Sequence, residues 1–292
     1  SSALAWRMLD LTNVEGEPID QVICTKFPSY AVYHPRKVVW LVHQHRQVYD
    51  WRGTRWSDWG SQDADPAVAD AIMRLDRRSL AEATRRFTIS RVVSERLSRF
   101  NGLNAAPLYP PSRYTGRLHH GRYDPYILSI SRLDHAKRLD LLIKALAFTH
   151  EPVQVMIGGI GEALASLQRL AQSLKVHDRV TFRGWLADDE LIELYAHARA
   201  VFYAPIDEDF GFATIEAFEA GKPVVTAHDS GAVLDFVRDG ATGFVVPPDP
   251  RAIAARLDVL WQNSTLAHQL GMAGSGMIKD ISWQNVLRHV VV

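Results

Sequence analysis

The sequence predicts an α/β protein built from doubly wound parallel sheets, and three observations carry that expectation. From Tyr126 onward, short apolar runs alternate with single helix-period segments, a pattern that requires parallel crossovers. Helical segments open on capping residues, Ser90 in one case and Asp249 in another, the latter with Pro250 at the first helical position. Hydrophobic residues make up 47% of the 292 and charged residues 23%, which supports a substantial core and excludes a disordered chain.

Taken in order, residues 1–20 show a weak helical period, no initiator Met and no signal-peptide pattern. Strands are expected at 21–25 and 37–42, the second leading into His43-Gln44-His45-Arg46 and an aromatic loop with Tyr49, Trp51, Trp56 and Trp59. A helix follows over 66–85, with Asp65 as N-cap and Pro66 first. A strand at 87–89, a helix ending at Asn101-Gly102 and a strand at 106–109 complete a first domain. The polar stretch 112–124 reads as a linker, which puts the domains at 1–115 and 116–292. In the second domain strands are expected at 126–130, 153–157, 180–182, 200–204, 223–227 and 243–246. Helices fall at 138–149, 161–174, 188–198, 213–220, 232–237 and 250–262.

Cys24 is the single cysteine, which excludes an internal disulfide framework and a cysteine-based zinc cluster and fits a reducing, cytoplasmic setting. No apolar run reaches the roughly 20 residues of a membrane span, which leaves room for peripheral membrane contact alone. Net charge is zero, yet residues 1–122 hold 18 Lys and Arg against 12 Asp and Glu, while residues 123–292 hold 15 against 21. Such a split holds two domains together or presents a basic face to an anionic acceptor; it does not argue for nucleic acid.

In open parallel sheets ligands sit at the carboxyl ends of strands, so the loops there are the candidate site. After the strand at 126–130 come Arg132 and Lys137, a forked cation and a point-charge cation able to embrace a diphosphate. Gly158-Gly159-Ile160-Gly161 follows the next strand, and Arg183-Gly184-Trp185 the one after. The stretch 203–225 then places Glu208 at a strand tip and Glu216, seven residues between them, inside the first turn of a helix. A helix start with free N–H groups suits phosphate, and a nearby carboxylate suits sugar hydroxyls. An acidic loop before an ordinary helix is the plainer reading of the same two glutamates.

The ordered series resembles the GT-B fold retaining glycosyltransferases of family GT4, across roughly residues 125–285. Arg132 through Lys137 fits the pattern R-L-x-x-x-K, the glycine loop fits G-G-x-G, and Glu208 with Glu216 fits E-x7-E. The run 229–237 is similar to S-G-G-x-x-E-x-V, departing at Ala232 and Asp235. The resemblance implies two Rossmann-like domains, the first incomplete here and acceptor-side, the second donor-binding. It implies that Arg132 and Lys137 hold the donor diphosphate, that Glu208 faces the donor sugar and that Glu216 accepts the ribose hydroxyls. It further implies that Gly159, Arg183, Gly184, Gly211, Phe212, Ala213 and Thr214 line the nucleotide and sugar. His43 is expected near the donor sugar or acceptor; with His45 it lacks the third ligand a metal site needs.

The implied reaction moves a sugar from a UDP-, GDP- or ADP-sugar to an unidentified acceptor with retention and without metal or cofactor. The first domain matches the second half of such a domain through Lys26-Phe27-Pro28, His43 to Arg46, Ile89-Ser90 and Tyr109-Pro110-Pro111. A half-sheet leaves edges exposed, so a homo-oligomer or a complementing chain is also expected. The rivals are an epimerase or phosphorylase of the same fold, and a non-catalytic nucleotide-sugar-binding subunit of a split enzyme. A NAD-type dehydrogenase is disfavoured because no G-x-G-x-x-G follows an early strand.

Overall fold

The computed structural model describes residues 2–54 and 66–291. Trp56, Trp59 and the expected N-cap Asp65 lie outside the described residues. The chain divides into two compact units, residues 1–110 together with 283–292, and residues 111–282.

The first unit begins with a short helix α1 (Ser2–Arg7) and a hairpin, β1 (Asn13–Val14) with β2 (Glu17–Pro18). Its sheet then forms from β3 (Val22–Lys26) and β4 (Lys37–His43), followed by helix α2 (Pro66–Ala81), β5 (Arg85–Thr88), helix α3 (Arg91–Asn101) and β6 (Ala106–Pro107). The four strands lie parallel in the order β3-β4-β5-β6, the order of the chain itself. Ser90 caps α3 by accepting from the Val93 N–H, and Gly102 ends it in the left-handed conformation, as capping chemistry predicts. The helix expected over 66–85 stops at Ala81 because Arg85–Thr88 is already strand, paired with β4.

The second unit holds β7 (Ile127–Ile130), α4 (Leu139–Leu146), β8 (Val155–Gly158), α5 (Leu164–Ser173), β9 (Val180–Gly184), α6 (Asp188–His197) and β10 (Ala200–Phe202). It continues with α7 (Phe212–Glu219), β11 (Val224–Ala227), β12 (Gly243–Val246), α8 (Pro250–Gln262) and α9 (Ser264–Met277). All six strands are parallel, in the order β12-β11-β10-β7-β8-β9. The chain thus winds outward from β7 through β8 to β9, then returns to the other side of β7 and winds outward again. Both faces are covered, so every residue of β10 and β11 is buried and the strands read as apolar runs, broken in β11 by Thr226 alone. Ile127, Leu142, Val155, Phe202, Val225 and Phe244 belong to one continuous core.

The segment 232–237, expected as a helix, is a 3-10 turn at Gly231–Asp235. The polar stretch 112–124 is tied to the second unit: Ser112 donates to Glu216, Thr115 bonds Glu219, and Lys222 donates to the Arg122 carbonyl at 2.7 Å. Helix α9 was not foreseen, since Gly271, Gly274 and Gly276 argue against a helix. Packing explains two of them: a Cβ on Gly271 would sit 1.8 Å from the Gly221 carbonyl oxygen, and one on Gly274 would sit 2.5 Å from the Phe218 ring. After α9 the chain returns to the first unit as α10 (Trp283–Val290), where Trp283 meets Trp40 edge-on. No helix among the described residues is long and apolar enough to cross a membrane.

Candidate functional site

The strand order of the second unit reverses between β7 and β10, and a crevice opens at such a reversal because the two following loops leave in opposite directions. The loop after β7 carries Arg132 and Lys137; the loop after β10 carries Glu208 and Gly211. Strand topology therefore brings these residues to one crevice although 71 positions separate Lys137 from Glu208.

Within it, the Lys137 ammonium is ion-paired with the Glu208 carboxylate, both largely covered. The Tyr203 hydroxyl lies 3.4 Å from Lys137 Nζ. Asp134 caps the short 3-10 turn His135–Lys137, its side chain accepting from the Lys137 N–H at 3.2 Å, which fixes where the lysine starts. Arg132 points outward, its side chain 83% exposed with Asp134 at 3.4 Å. The cation next in sequence is instead buried: Arg138, at φ 51°, grips Asp229 through two guanidinium bonds of 2.6 and 2.8 Å and donates to the carbonyls of Ala204 and Pro205. It fastens the loops after β7, β10 and β11 to one another. Sequence reasoning assigned Arg138 only to a helix; Asp229 across the sheet was the available signal for its role.

Helix α7 starts at Phe212, preceded by Gly211 in a left-handed conformation with no side-chain cap. The N–H groups of Phe212 and Ala213 have no carbonyl one turn back to bond and lie at the positive end of the helix dipole, whereas the Thr214 N–H donates to the Gly211 carbonyl at 2.9 Å. Ala213 and Thr214 are buried there, and among the described residues Thr214 Oγ1 finds no hydrogen-bond partner; Phe212 is 44% exposed. Glu216 is the fifth residue of α7 and so opens its second turn, not the first as expected. Its carboxylate turns inward, accepting from Ser112 Oγ at 2.9 Å and from the Tyr195 hydroxyl at 3.0 Å. Burial pushes the Glu216 carboxyl above its ordinary value, and those two donors pull it back. Tyr195 and Ser112 were missed as partners; a buried carboxylate demands donors, but sequence cannot say from where.

On the other side of β7, Gly159 at φ 128° donates its N–H to the Gly184 carbonyl at 2.7 Å, and a Cβ there would meet the Ser131 carbonyl oxygen at 1.9 Å. The loops after β7, β8 and β9 are thus in backbone contact. Arg183 forms an ion pair with Glu190 at the first turn of α6. His43 ends β4 in the first unit, its Nδ1 2.7 Å from the Gln44 carbonyl, while His45 stacks on Phe27. Among the described residues no group of three or more His, Cys, Asp or Glu could hold a metal ion.

This is the α/β architecture in which the crevice at a sheet's reversal point receives a ligand. Solved structures sharing it include sucrose-phosphate synthase from Thermosynechococcus elongatus, at TM-score 0.73 and 20% identity, covering 91% of this chain and 70% of that one. Anabaena HepE in complex with UDP and glucose matches at TM-score 0.67 and 18% identity over 83% and 66% of the two chains. Both likenesses establish the fold, a GT-B arrangement of parallel α/β sheets. Residues 117–277 match the family model of glycosyl transferases group 1, and the chain belongs to that family. An uncharacterised glycosyltransferase of Methanocaldococcus jannaschii is 29% identical over 169 residues, 56% of this chain and 43% of that protein. The D-inositol 3-phosphate glycosyltransferase of Nocardia farcinica is 34% identical over 172 residues, 55% of this chain and 38% of that protein. The matches thus span about two fifths of these curated relatives.

Proposed function

We propose that the second unit binds a nucleotide diphosphate sugar at the β7/β10 crevice, and that the chain is a retaining, metal-independent hexosyltransferase of family GT4. The observation that carries this reading is the Lys137–Glu208 pair beside the uncapped start of α7. A diphosphate entering the crevice finds a lysine, an exposed arginine and free helix N–H groups within one loop cluster, and draws Lys137 from Glu208. Glu208 is then free to accept from sugar hydroxyls, and Glu216 from the ribose. Gly159, Arg183 and Gly184 border the base, and Gly211 to Thr214 border sugar and phosphate.

In the transfer, the acceptor oxygen bonds the anomeric carbon on the face that the diphosphate leaves. The carbon–oxygen bond to phosphorus breaks, the diphosphate keeps the electron pair and takes the acceptor's proton. Lys137, Arg132 and the α7 dipole stabilise negative charge that grows on the leaving group, an electrostatic contribution worth roughly 10²–10³ per donor in rate. His43 serves the acceptor side in this reading. Relatives bearing the names of an inositol-phosphate glycosyltransferase and a mannosyltransferase, and fold neighbours solved with UDP, support a nucleotide-sugar donor and put UDP first among the nucleotides to test.

A second reading, a partner-dependent or non-catalytic subunit, is favoured by the four-stranded first sheet with β3 at its edge. Thermal shift against UDP-, GDP- and ADP-sugars, followed by an assay of released nucleoside diphosphate with and without candidate acceptors, separates the two. Stabilisation plus slow donor hydrolysis supports the enzyme; stabilisation without release favours the subunit; no shift with any nucleotide sinks both. Size measurement reads homo-oligomer or complemented state, and vesicle flotation reads the peripheral membrane contact expected of a basic cytoplasmic first unit.

A further inference from the structure

The loop that follows β4 in the first unit is held from below by a chain of buried side chains, all donating in one direction. Gln44 Nε2 donates to Asn101 Oδ1 at the end of α3, and Asn101 Nδ2 donates to the Tyr49 hydroxyl at 3.2 Å. The Tyr49 hydroxyl in turn donates to Asp76 Oδ2 on α2 at 2.7 Å. Asp76, Asn101, Gln44 and Tyr49 are all buried. Among the described residues, the other Asp76 oxygen and the fully buried Tyr30 hydroxyl meet no hydrogen-bond partner. Gln44 also supplies the backbone carbonyl to which His43 Nδ1 bonds.

We propose that Asp76 is a positioning residue for the His43–Tyr49 loop, its carboxylate being the terminal acceptor that orients Tyr49, Asn101, Gln44 and through them the His43 ring. A carboxylate, acceptor-only, forces Tyr49 to donate; Tyr49 must then accept from Asn101, and Asn101 is left with its carbonyl oxygen for Gln44. Each amide is thereby fixed in one flip. A protonated Asp76 carries a donor of its own, and the sense of the whole relay is no longer imposed.

Burial pushes the Asp76 carboxyl up to about 6, opposed by the hydrogen bond from Tyr49, so this change of sense falls in an accessible pH range. The charged groups on neighbouring elements are engaged elsewhere: Arg46 and Arg96 with Asp50, and Lys37 with Glu82. Tyr30 and Tyr49 themselves are held neutral by burial. The bearing of this relay on sugar transfer rests on the role proposed for His43, but the relay is tested without any substrate.

In the isotopically labelled full chain, the side-chain amide signals of Gln44 and Asn101 are followed between pH 5 and 8. The expected result is a shared inflection near pH 6, absent in Asp76→Asn. Tyr49→Phe cuts the chain between Asp76 and Asn101, so there the Asp76 carboxyl carbon still titrates while both amide signals stay flat. Flat amide signals in the unsubstituted protein, or an inflection that survives in Tyr49→Phe, overturn the proposal. If Asp76→Asn fails to fold, the Tyr49→Phe comparison decides alone.

Discussion

The two units use parallel strands and covering helices, yet only one contains a reversal. In the first sheet spatial order follows chain order, β3-β4-β5-β6, so successive loops leave in the same sense. In the second the chain starts in the middle and winds both ways, so the loops after β7 and β10 part around a crevice. The difference teaches where charge can be kept near solvent and still be organised. Lys137 and Glu208 meet at the crevice, whereas the buried Asp76 relay of the first unit lies inside its fold.

The comparison breaks most visibly at Gly159. A methyl group there would lie 1.9 Å from the Ser131 carbonyl oxygen at a φ of 128°, so Gly159→Ala should cost more than ~3 kcal/mol and collapse the loops after β7 and β8. A melting temperature within a degree or two of the parent would show that the loop is not braced in this way. Next in size, Lys137→Ala should lower turnover roughly 10²–10³-fold while changing donor affinity far less. Equal and small effects on both, measured by steady-state kinetics and calorimetry, would remove Lys137 from the leaving-group role.

Smaller effects sharpen the contrast. Glu216→Ala should weaken nucleotide binding and also cost ~1–3 kcal/mol, because Tyr195 and Ser112 lose their shared acceptor; Tyr195→Phe, losing one donor, separates stability from binding when both variants are titrated with nucleotide. For Asp76 the sign follows from linkage. Its carboxyl is raised in the folded state to about 6 from 3.8, so the fold holds that proton more tightly than the unfolded chain. Stability from this group is greatest below about pH 4 and falls as pH rises towards 6. Asp76→Asn should therefore raise the melting temperature above pH 6, by the equivalent of ~1–3 kcal/mol, with the gain vanishing near pH 4. Least of all, Gly184→Ala has open space around the new methyl group and only its φ of 65° to overcome, a cost of ~1 kcal/mol.

The second sheet was legible because burial on both faces forces apolar runs at β7, β10 and β11, and because caps such as Asp249 mark helix starts. The strand order was not, since periodicity carries no information on which strand neighbours which; the pairing of Lys137 with Glu208 followed only from the structure. Arg132 and Lys137 share a motif yet part in space, one facing solvent and the other covered. Glu216 was read as the acceptor of ribose hydroxyls, and its bonds to Ser112 and Tyr195 could not be read, because those partners are distant in the chain. Helix α9 escaped notice because its glycines answer to close approach by Gly221 and Phe218, contacts invisible to local propensity.

The return of α10 to the first unit means that the chain passes between the units twice, near residues 110–111 and again near 282–283. The second unit is therefore an insert with two covalent moorings. A protease that cuts one crossing leaves the second unit covalently joined to part of the first through the other; under denaturing conditions a cut near 110–111 yields fragments of about 110 and 180 residues and a cut near 282–283 fragments of about 280 and 10, and in neither case does one fragment carry the whole of the first unit. Only a double cut can release the second unit intact.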